Sequence, residues 1–315
     1  MDDFALDALE TLIRRHRPHL DGALSFEPIP TGKFNTSFFV SAGDEELVLR
    51  IAPPRDAVFV FYERDMMRQE LGIHALVLAE TTVPAAAILA YDDSHDLIDR
   101  DFLIMQRLPG RPLTEMRGVR YDYVLKQVGD FLAQVHRLTT DQYGYLGEHQ
   151  PMEPQQSWAA AFEIMWHKMI DDIVAVGHYD NEESRLLRTL LDRHVTVFDR
   201  SVPASLLHMD IWHQNILVDE TGKVTGIVDW DRALWGDPEI EFAVLDYCGI
   251  SEPAFWEGYG GERDTSPPAQ IRQVFYLLYE LQKYIVIRHG RGHDPASARG
   301  YKQQVMEIVR RHLLP

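Results

Sequence analysis

The stretch His208-Met209-Asp210-Ile211-Trp212-His213-Gln214-Asn215 runs into Ile216-Leu217-Val218, and Ile227-Val228-Asp229-Trp230-Asp231 follows after a short polar gap. Ile216 to Val218 and Val224 to Val228 are both β-prone runs. Between them Asp219-Glu220-Thr221-Gly222-Lys223 is polar and contains Gly, which predicts a hairpin. Asp210 and Asn215 then sit on the loop entering the first strand, and Asp229 sits where the second strand ends. Strand pairing brings these three carbonyl-bearing side chains to one end of the ribbon.

Phosphoryl transfer is chemistry that such a trio suits. It asks for an acceptor hydroxyl held in line with a γ-phosphate, and for positive charge on the phosphate oxygens. Asp210 can orient the hydroxyl and accept its proton. Asn215 offers a neutral amide oxygen and Asp229 an anionic one, hard ligands of the kind Mg²⁺ takes together with water and phosphate. Two other readings stay open at this point. Asx residues flank many strands simply as turn formers. His208, Asp210 and His213 also carry the donor types of a Zn²⁺ or Fe hydrolase, although no second His/Asp cluster at ligand spacing completes that site.

With 315 residues the chain can bury a large core and form two lobes. Its 45% hydrophobic content is ordinary for a soluble globular protein. Cys248 is the sole cysteine, so no intramolecular disulfide can form, and a buried core thiol is expected there. Met1-Asp2-Asp3-Phe4 lacks the basic and apolar regions of a signal peptide, and no apolar run is long enough to span a bilayer. A cytoplasmic setting with no membrane partner is the expectation. The formal net charge of −18 argues against nucleic acid as a partner and can steer a cationic small molecule.

Along the chain, Leu6, Leu9, Leu12 and Ile13 predict a helix over residues 4–16. Ser37 to Val40 and Glu46 to Ile51 read as strands around a turn at Ser41-Ala42-Gly43-Asp44. The loop before them carries Gly32, Lys33, Asn35 and Ser37, whose backbone N–H groups can cover phosphates; an ordinary hairpin loop is the plainer account. A helix over 63–80 aligns Met66, Glu70, Ile73 and Val77, which makes Glu70 the odd member of an apolar face. A carboxylate turned inward needs a partner, and Arg50 is the natural one, unless Glu70 reaches solvent at the edge of the face. Phe102-Leu103-Ile104-Met105 is a further strand, closed by Gln106-Arg107-Leu108-Pro109-Gly110, whose main chain near Gln106 and Leu108 can meet a planar base. Beyond residue 121 the pattern turns helical, first along Val124, Val128, Phe131, Val135 and Leu138, with His136 beside the stripe as a structural histidine. Further helices are expected at 157–177, 182–198, 239–249, 270–289 and 298–313. There is no internal repeat.

Taken in order, these motifs resemble those of the aminoglycoside phosphotransferase family of kinase-like enzymes, related to choline kinases. Leu207 to Val218 is similar to the family's catalytic loop, and Ile227-Val228-Asp229-Trp230 to its metal-binding strand end. Gly236 to Ala243, the hinge from Met105 to Pro112, and the helix segment Leu132 to Leu138 also match. The resemblance implies an α+β, protein-kinase-like bilobal fold. Residues 1–106 would form a nucleotide-binding β-rich N-lobe with one key helix, and residues 107–315 a mainly helical C-lobe. It further implies ATP or GTP with Mg²⁺ between the lobes. Asp210 would be the catalytic base, Asn215 and Asp229 metal ligands, and Leu217 and Val228 walls of the nucleobase site, with the hinge backbone at Gln106 and Leu108 on its edge. Two positions depart from the family pattern. Arg50 stands where kinases usually carry Lys, and the two are not equivalent; Lys33 is a candidate to share the role. Glu241 stands where the family often has Asp.

The expectation is therefore a kinase acting on a hydroxyl of a small molecule. An aminoglycoside-like antibiotic, which would make it a resistance enzyme, is one acceptor class; amino sugars, choline-like amines and other metabolites are others. Glu153, Asp171, Asp172, Glu257 and Glu262 are acidic residues able to bind amines, although a solvated surface face is the plainer account of each one singly. A nucleotide-binding module without catalysis is the alternative that Arg50 prompts.

Overall fold

The computed structural model of the protein describes residues 4–30 and 34–314. Helix α1 (Leu6–His16) leads into strands β1 (Ser25–Pro28), β2 (Thr36–Ala42) and β3 (Glu45–Ile51), then α2 (Met67–Glu80), β4 (Ile88–Asp92) and β5 (Phe102–Gln106). The five strands make one antiparallel sheet in the order β1-β2-β3-β5-β4. Alternation along β5 explains its burial on both sides. Phe102 and Ile104 join Leu9, Leu12 and Ile13 of α1 in one apolar cluster, whereas Leu103 and Met105 pack with Met67 of α2 in another.

The sheet ends at Gln106, and a turn at Pro109-Gly110 carries the chain to the short strand β6 (Arg111–Pro112). Gly110 is required there: it adopts φ +98°, and a Cβ would lie 2.8 Å from the Val218 carbonyl oxygen. Strand β6 pairs with β9 (Ile216–Val218), which pairs in turn with β10 (Val224–Ile227). The expected hairpin is present. A third small sheet joins β7 (Thr139–Thr140), β8 (Ala204–Leu207) and β11 (Leu234–Gly236).

Helices make up most of the rest: α3 (Tyr121–Val135), α4 (Trp158–Ala175), α5 (Asn181–His194), α6 (Pro238–Tyr247), α7 (Pro253–Tyr259), α8 (Pro267–His289) and α9 (Pro295–His312). Aromatic residues Trp158, Phe162 and Trp166 of α4 pack on Phe275, Tyr276 and Tyr279 of α8 to form the largest cluster. Among the described residues no helix is long and apolar enough to cross a membrane.

Four local expectations need correction. Helix α2 starts at Met67 and not at residue 63, because Asp65 has φ +58° and Glu63 folds back to accept the Val60 N–H at 2.8 Å. The buried stripe of α3 runs through Leu132 in place of Phe131, and the helix stops before Leu138. The second segment, expected over 182–198, is α-helical only to His194 and finishes as a 3₁₀ turn. Cys248 is half-buried at the mouth of the central cleft and is not a core thiol; burial nevertheless pushes its pKa up to about 12.

Candidate active site

The loop from His208 to Asn215 links β8 to β9 and forms the floor of the site. Its geometry is fixed from below by Glu241, on α6, which is fully buried. That carboxylate accepts the Met209 N–H at 2.6 Å, the His208 N–H at 3.2 Å, and His136 Nε2 at 2.8 Å. Burial works to raise its pKa, but the bond from His136 and the nearby imidazoles hold it below the usual carboxylate range. Met209 is held at φ +65°, a region unfavourable for a side-chain-bearing residue. His136 is, as expected, structural: its Nδ1 meets the Tyr259 hydroxyl at 2.8 Å. The longer reach of Glu241 thus fills the family's Asp position without leaving the loop unsupported.

His208 is also structural. Its Nδ1 accepts the Asp210 N–H at 3.2 Å, so Nε2 carries the proton and donates to the Val228 carbonyl at 3.1 Å. Burial lowers its pKa and keeps the ring neutral. His213 stacks on Tyr121 and bonds its hydroxyl at 2.7 Å. Among the described residues the one His/carboxylate group compact enough to hold a metal is Glu163, His167 and Asp192. It includes none of His208, Asp210 or His213, and the hydrolase reading loses its ligand set.

Asp210, Asn215 and Asp229 do converge. The Val228 N–H donates to the Asn215 carbonyl at 3.0 Å, which closes the open end of the hairpin. Asn215 Nδ2 donates to the Asp210 carbonyl at 2.9 Å and to Asp210 Oδ2 at 3.0 Å. This orientation turns the Asn215 amide oxygen away from Asp210. Asp229, at φ +72°, projects from the end of the second strand. Asp210 Oδ1 also accepts Arg232 Nη1 at 3.0 Å, and Lys283 Nζ lies 3.8 Å away. Burial alone would raise the Asp210 pKa, yet Lys283 and Arg232 outweigh it and keep the carboxylate ionised.

Arg50 and Glu70 form the anticipated buried pair, at 2.6 Å. The other guanidinium nitrogen of Arg50 reaches across to Asp229 at 2.8 Å and Asp231 at 3.1 Å. Three carboxylates therefore share one guanidinium. Burial and mutual repulsion push Asp229 and, further, Asp231 above the usual range. This deficit of positive charge, next to an amide oxygen, is a donor set that fits a hard divalent cation.

These residues border a cleft of about 690 Å³ between the five-stranded sheet and the helices. Asn35, Ser37, Arg50, Gln106, Leu108, Leu217, Val228, Asp210, Asn215 and Asp229 all line it, while Glu70 stands behind Arg50. Gly32 and Lys33 lie outside the described residues. The Gln106 N–H is already donated to the Ala87 carbonyl at 2.9 Å, so Gln106 can offer a base only its carbonyl. None of Glu153, Asp171, Asp172, Glu257 or Glu262 lines the cleft. Asp171 instead pairs with Arg188, Glu257 with Lys126, and Asp172 accepts the Phe61 N–H. Sequence reasoning missed Arg232, Glu280 and Lys283. The run Glu280-Leu281-Gln282-Lys283 inside the buried face of α8 was the available signal.

A family model described as the Phosphotransferase enzyme family matches residues 25–272. The chain belongs to this family. Among its relatives, a protein of Vibrio parahaemolyticus named "Probable ketoamine kinase" is 27% identical over 57% of this chain and 61% of its own length. This chain thus spans less than two thirds of that relative. An aminoglycoside phosphotransferase, APH(4)-Ia, solved in ternary complex with AMP-PNP and hygromycin B, superposes with a TM-score of 0.64 at 19% identity, covering 96% of this chain and 98% of that one. The GDP complex of aminoglycoside 2'-phosphotransferase-IIIa gives 0.65 at 14% identity, covering 95% and 97%. Both are likenesses of fold: the phosphotransferase architecture is the kinase-like α+β one expected from the motifs.

Proposed function

We propose that this phosphotransferase moves the γ-phosphate of ATP or GTP to a hydroxyl of a small molecule, with Mg²⁺. The observation that carries this reading is the meeting of Asp210, Asn215 and Asp229 on the floor of the cleft. Residues 1–106 would serve the nucleotide and residues 107–315 the acceptor. Leu217 and Val228 would wall the base, with the Gln106 carbonyl and the Leu108 backbone at its edge. Asn35 and Ser37, together with Gly32 and Lys33, would border the phosphates. Asn215 and Asp229 would hold the metal, with Asp231 beside them. Bound Mg²⁺ supplies charge neutralisation at the phosphate oxygens.

Asp210 is ionised and faces the cleft, so it can accept a hydrogen bond from the incoming hydroxyl and then its proton. The bond from that oxygen to the γ-phosphorus forms as the bond to the nucleoside diphosphate breaks. Arg232 and Lys283 hold the carboxylate in place and keep its pKa low. Arg50, anchored by Glu70, offers a guanidinium at the phosphate end. A cytoplasmic location, where Mg²⁺ and nucleotide abound, accompanies the reading.

The test is phosphate transfer by the purified protein with Mg·ATP or Mg·GTP over a panel of hydroxylated compounds. Asp210→Asn should lower kcat by about 10²–10⁴-fold and leave nucleotide affinity within about threefold. Full activity in that variant would remove Asp210 from the base position. One observation favours a second reading, nucleotide binding without turnover: Arg50 occupies Asp229 at 2.8 Å. That reading requires tight Mg·ATP binding with no transfer to any acceptor and no slow hydrolysis.

A further inference from the structure

We propose that the acceptor is a small hydroxylated anion, its carboxylate or phosphate group seated on Arg288 while its hydroxyl meets Asp210. This rests on the phosphotransfer reading and narrows its substrate class. The end of the cleft beyond Asp210 is walled by one face of α8, with Tyr301 of α9 and Tyr247 at the end of α6. On α8 the cleft-lining residues Lys283, Tyr284, Ile287 and Arg288 fall at helical spacing along that face.

Matching each charge to its partner leaves one over. Asp210 and Glu280 are balanced by Arg232 and Lys283: Arg232 touches Asp210 at 3.0 Å and Glu280 at 3.4 Å, and Lys283 lies 2.5 Å from Glu280. Glu63 is balanced by Arg291 at 2.8 Å. Arg288 also lines this end, and no carboxylate forms an ion pair with it among the described residues. Its Nε is buried with no hydrogen-bond partner there. Asp294 feels its charge, but the Asp294 carboxylate is engaged by Ser297 in capping α9, at 3.0 Å from the amide and 2.5 Å from the hydroxyl. A buried guanidinium N–H without an acceptor is costly unless a ligand supplies one.

An amine finds the opposite situation. Every carboxylate lining this end is already paired. The stacked rings of Tyr284 and Tyr301, 4.9 Å apart, could otherwise hold a cation, but Lys283 Nζ is already 4.7 Å from the Tyr284 ring centre. Tyr247 and Tyr301 approach each other through their hydroxyls at 3.2 Å and offer hydrogen bonds to a polyol. The separation also suits a small molecule. Lys283 Nζ is 3.8 Å from Asp210, and five helical residues separate the Lys283 and Arg288 backbones by about 7.5 Å along the axis of α8. A chain of a few carbons can bridge the two.

The experiment measures binding to the full-length protein loaded with Mg·AMP-PNP, and transfer from Mg·ATP. The probes are glycerate and gluconate as hydroxycarboxylates, glycerol 3-phosphate and fructose 6-phosphate as phosphates, glycerol and fructose as neutral counterparts, and kanamycin as a polyamine. The anions should exceed their neutral counterparts by about tenfold or more, and the two anion arms identify which group Arg288 takes. Arg288→Gln should weaken the preferred anion by about tenfold, leave the KM for Mg·ATP unchanged and not lower the unfolding midpoint. Arg288→Lys should recover part of the loss. Preference for neutral or amine probes, or a shift in the KM for Mg·ATP in place of the acceptor's, overturns the proposal while nucleotide binding persists. Loss of Mg·ATP binding in the parent protein would instead overturn the phosphotransfer reading and this inference with it.

Discussion

Glu241→Gln isolates the clamp beneath the loop from His208 to Asn215. The substitution keeps the length and volume of the side chain but exchanges one acceptor oxygen for an NH₂ donor. One oxygen now takes the Met209 N–H, and the other takes the His208 N–H and His136. The least damaging amide orientation keeps the short bond to Met209 and points NH₂ at His136, which can switch tautomer and accept. The His208 N–H is then left facing a donor, in a site with no solvent access. Loss of a bond to a charged acceptor, with a buried amide unsatisfied, costs about 2–4 kcal/mol. With the His208 N–H released, one bond in place of two holds the turn that keeps Met209 at φ +65°, a conformation that costs about 1–2 kcal/mol. Asp210 follows Met209 directly, so a displacement near 1 Å would lower kcat about 10²-fold. Urea unfolding and steady-state kinetics on the same preparation test both effects. Glu241→Asp retains the charge and loses one methylene of reach, and should fall between the parent and Gln. If Glu241→Gln unfolds within about 0.5 kcal/mol of the parent and keeps its kcat, the carboxylate is not what fixes the loop.

Arg50→Lys places a single nitrogen where two now serve Glu70 and the Asp229/Asp231 pair, so at least one buried carboxylate loses its partner. Stability without metal should drop by about 2–4 kcal/mol, and Mg²⁺ should restore more of it than in the parent; thermal melts with and without Mg²⁺ check this, and equal melts would contradict it. Asp172→Asn probes pH. Burial raises the Asp172 pKa to about 7 from its ordinary 3.8, so the folded state binds the extra proton and stability falls as pH rises between those values. Asn retains the bond from the Phe61 N–H without the charge, and should stabilise by up to ~4 kcal/mol above pH 7 with little effect below pH 4; a pH-independent difference would count against the raised value.

The hairpin and its three polar ends were legible because strand period, polar turn and Asx positions all act within a few residues. The Arg50–Glu70 pair was legible because a carboxylate on an apolar stripe demands a partner. Other features depend on tertiary contacts that no local pattern encodes. Helix α7 escaped notice because it has only seven residues, too few to show periodicity. It forms because Gly129 and Gly258 let its backbone and that of α3 approach more closely than any Cβ would permit. The start of α2 was misplaced because Met66 fits the apolar stripe, while Asp65 in the left-handed region interrupts the helix before it. Lys283 reaches Asp210, and Glu280 reaches Arg232, only after α8 folds across the loop.

Whole-chain charge and the charge inside the cleft are separate quantities in this protein. A net charge of −18 suggests an attraction for cations anywhere on the surface. At physiological salt, however, fields between exposed charges fade over about 8 Å, and a ligand inside the cleft responds to its immediate neighbours. Those neighbours differ at the two ends. Around Arg50, three carboxylates share one guanidinium, which leaves an unmet demand for a cation. Around Arg288 the carboxylates are matched and a guanidinium is left over. The cleft therefore has polarity: the surroundings of Arg50 favour a cation and those of Arg288 an anion. The Asp210 pKa is lowered by Lys283 of α8 and by Arg232 of the turn that follows β10. Under the proposal above, the acceptor's hydroxyl would meet a carboxylate that these cations already keep ionised.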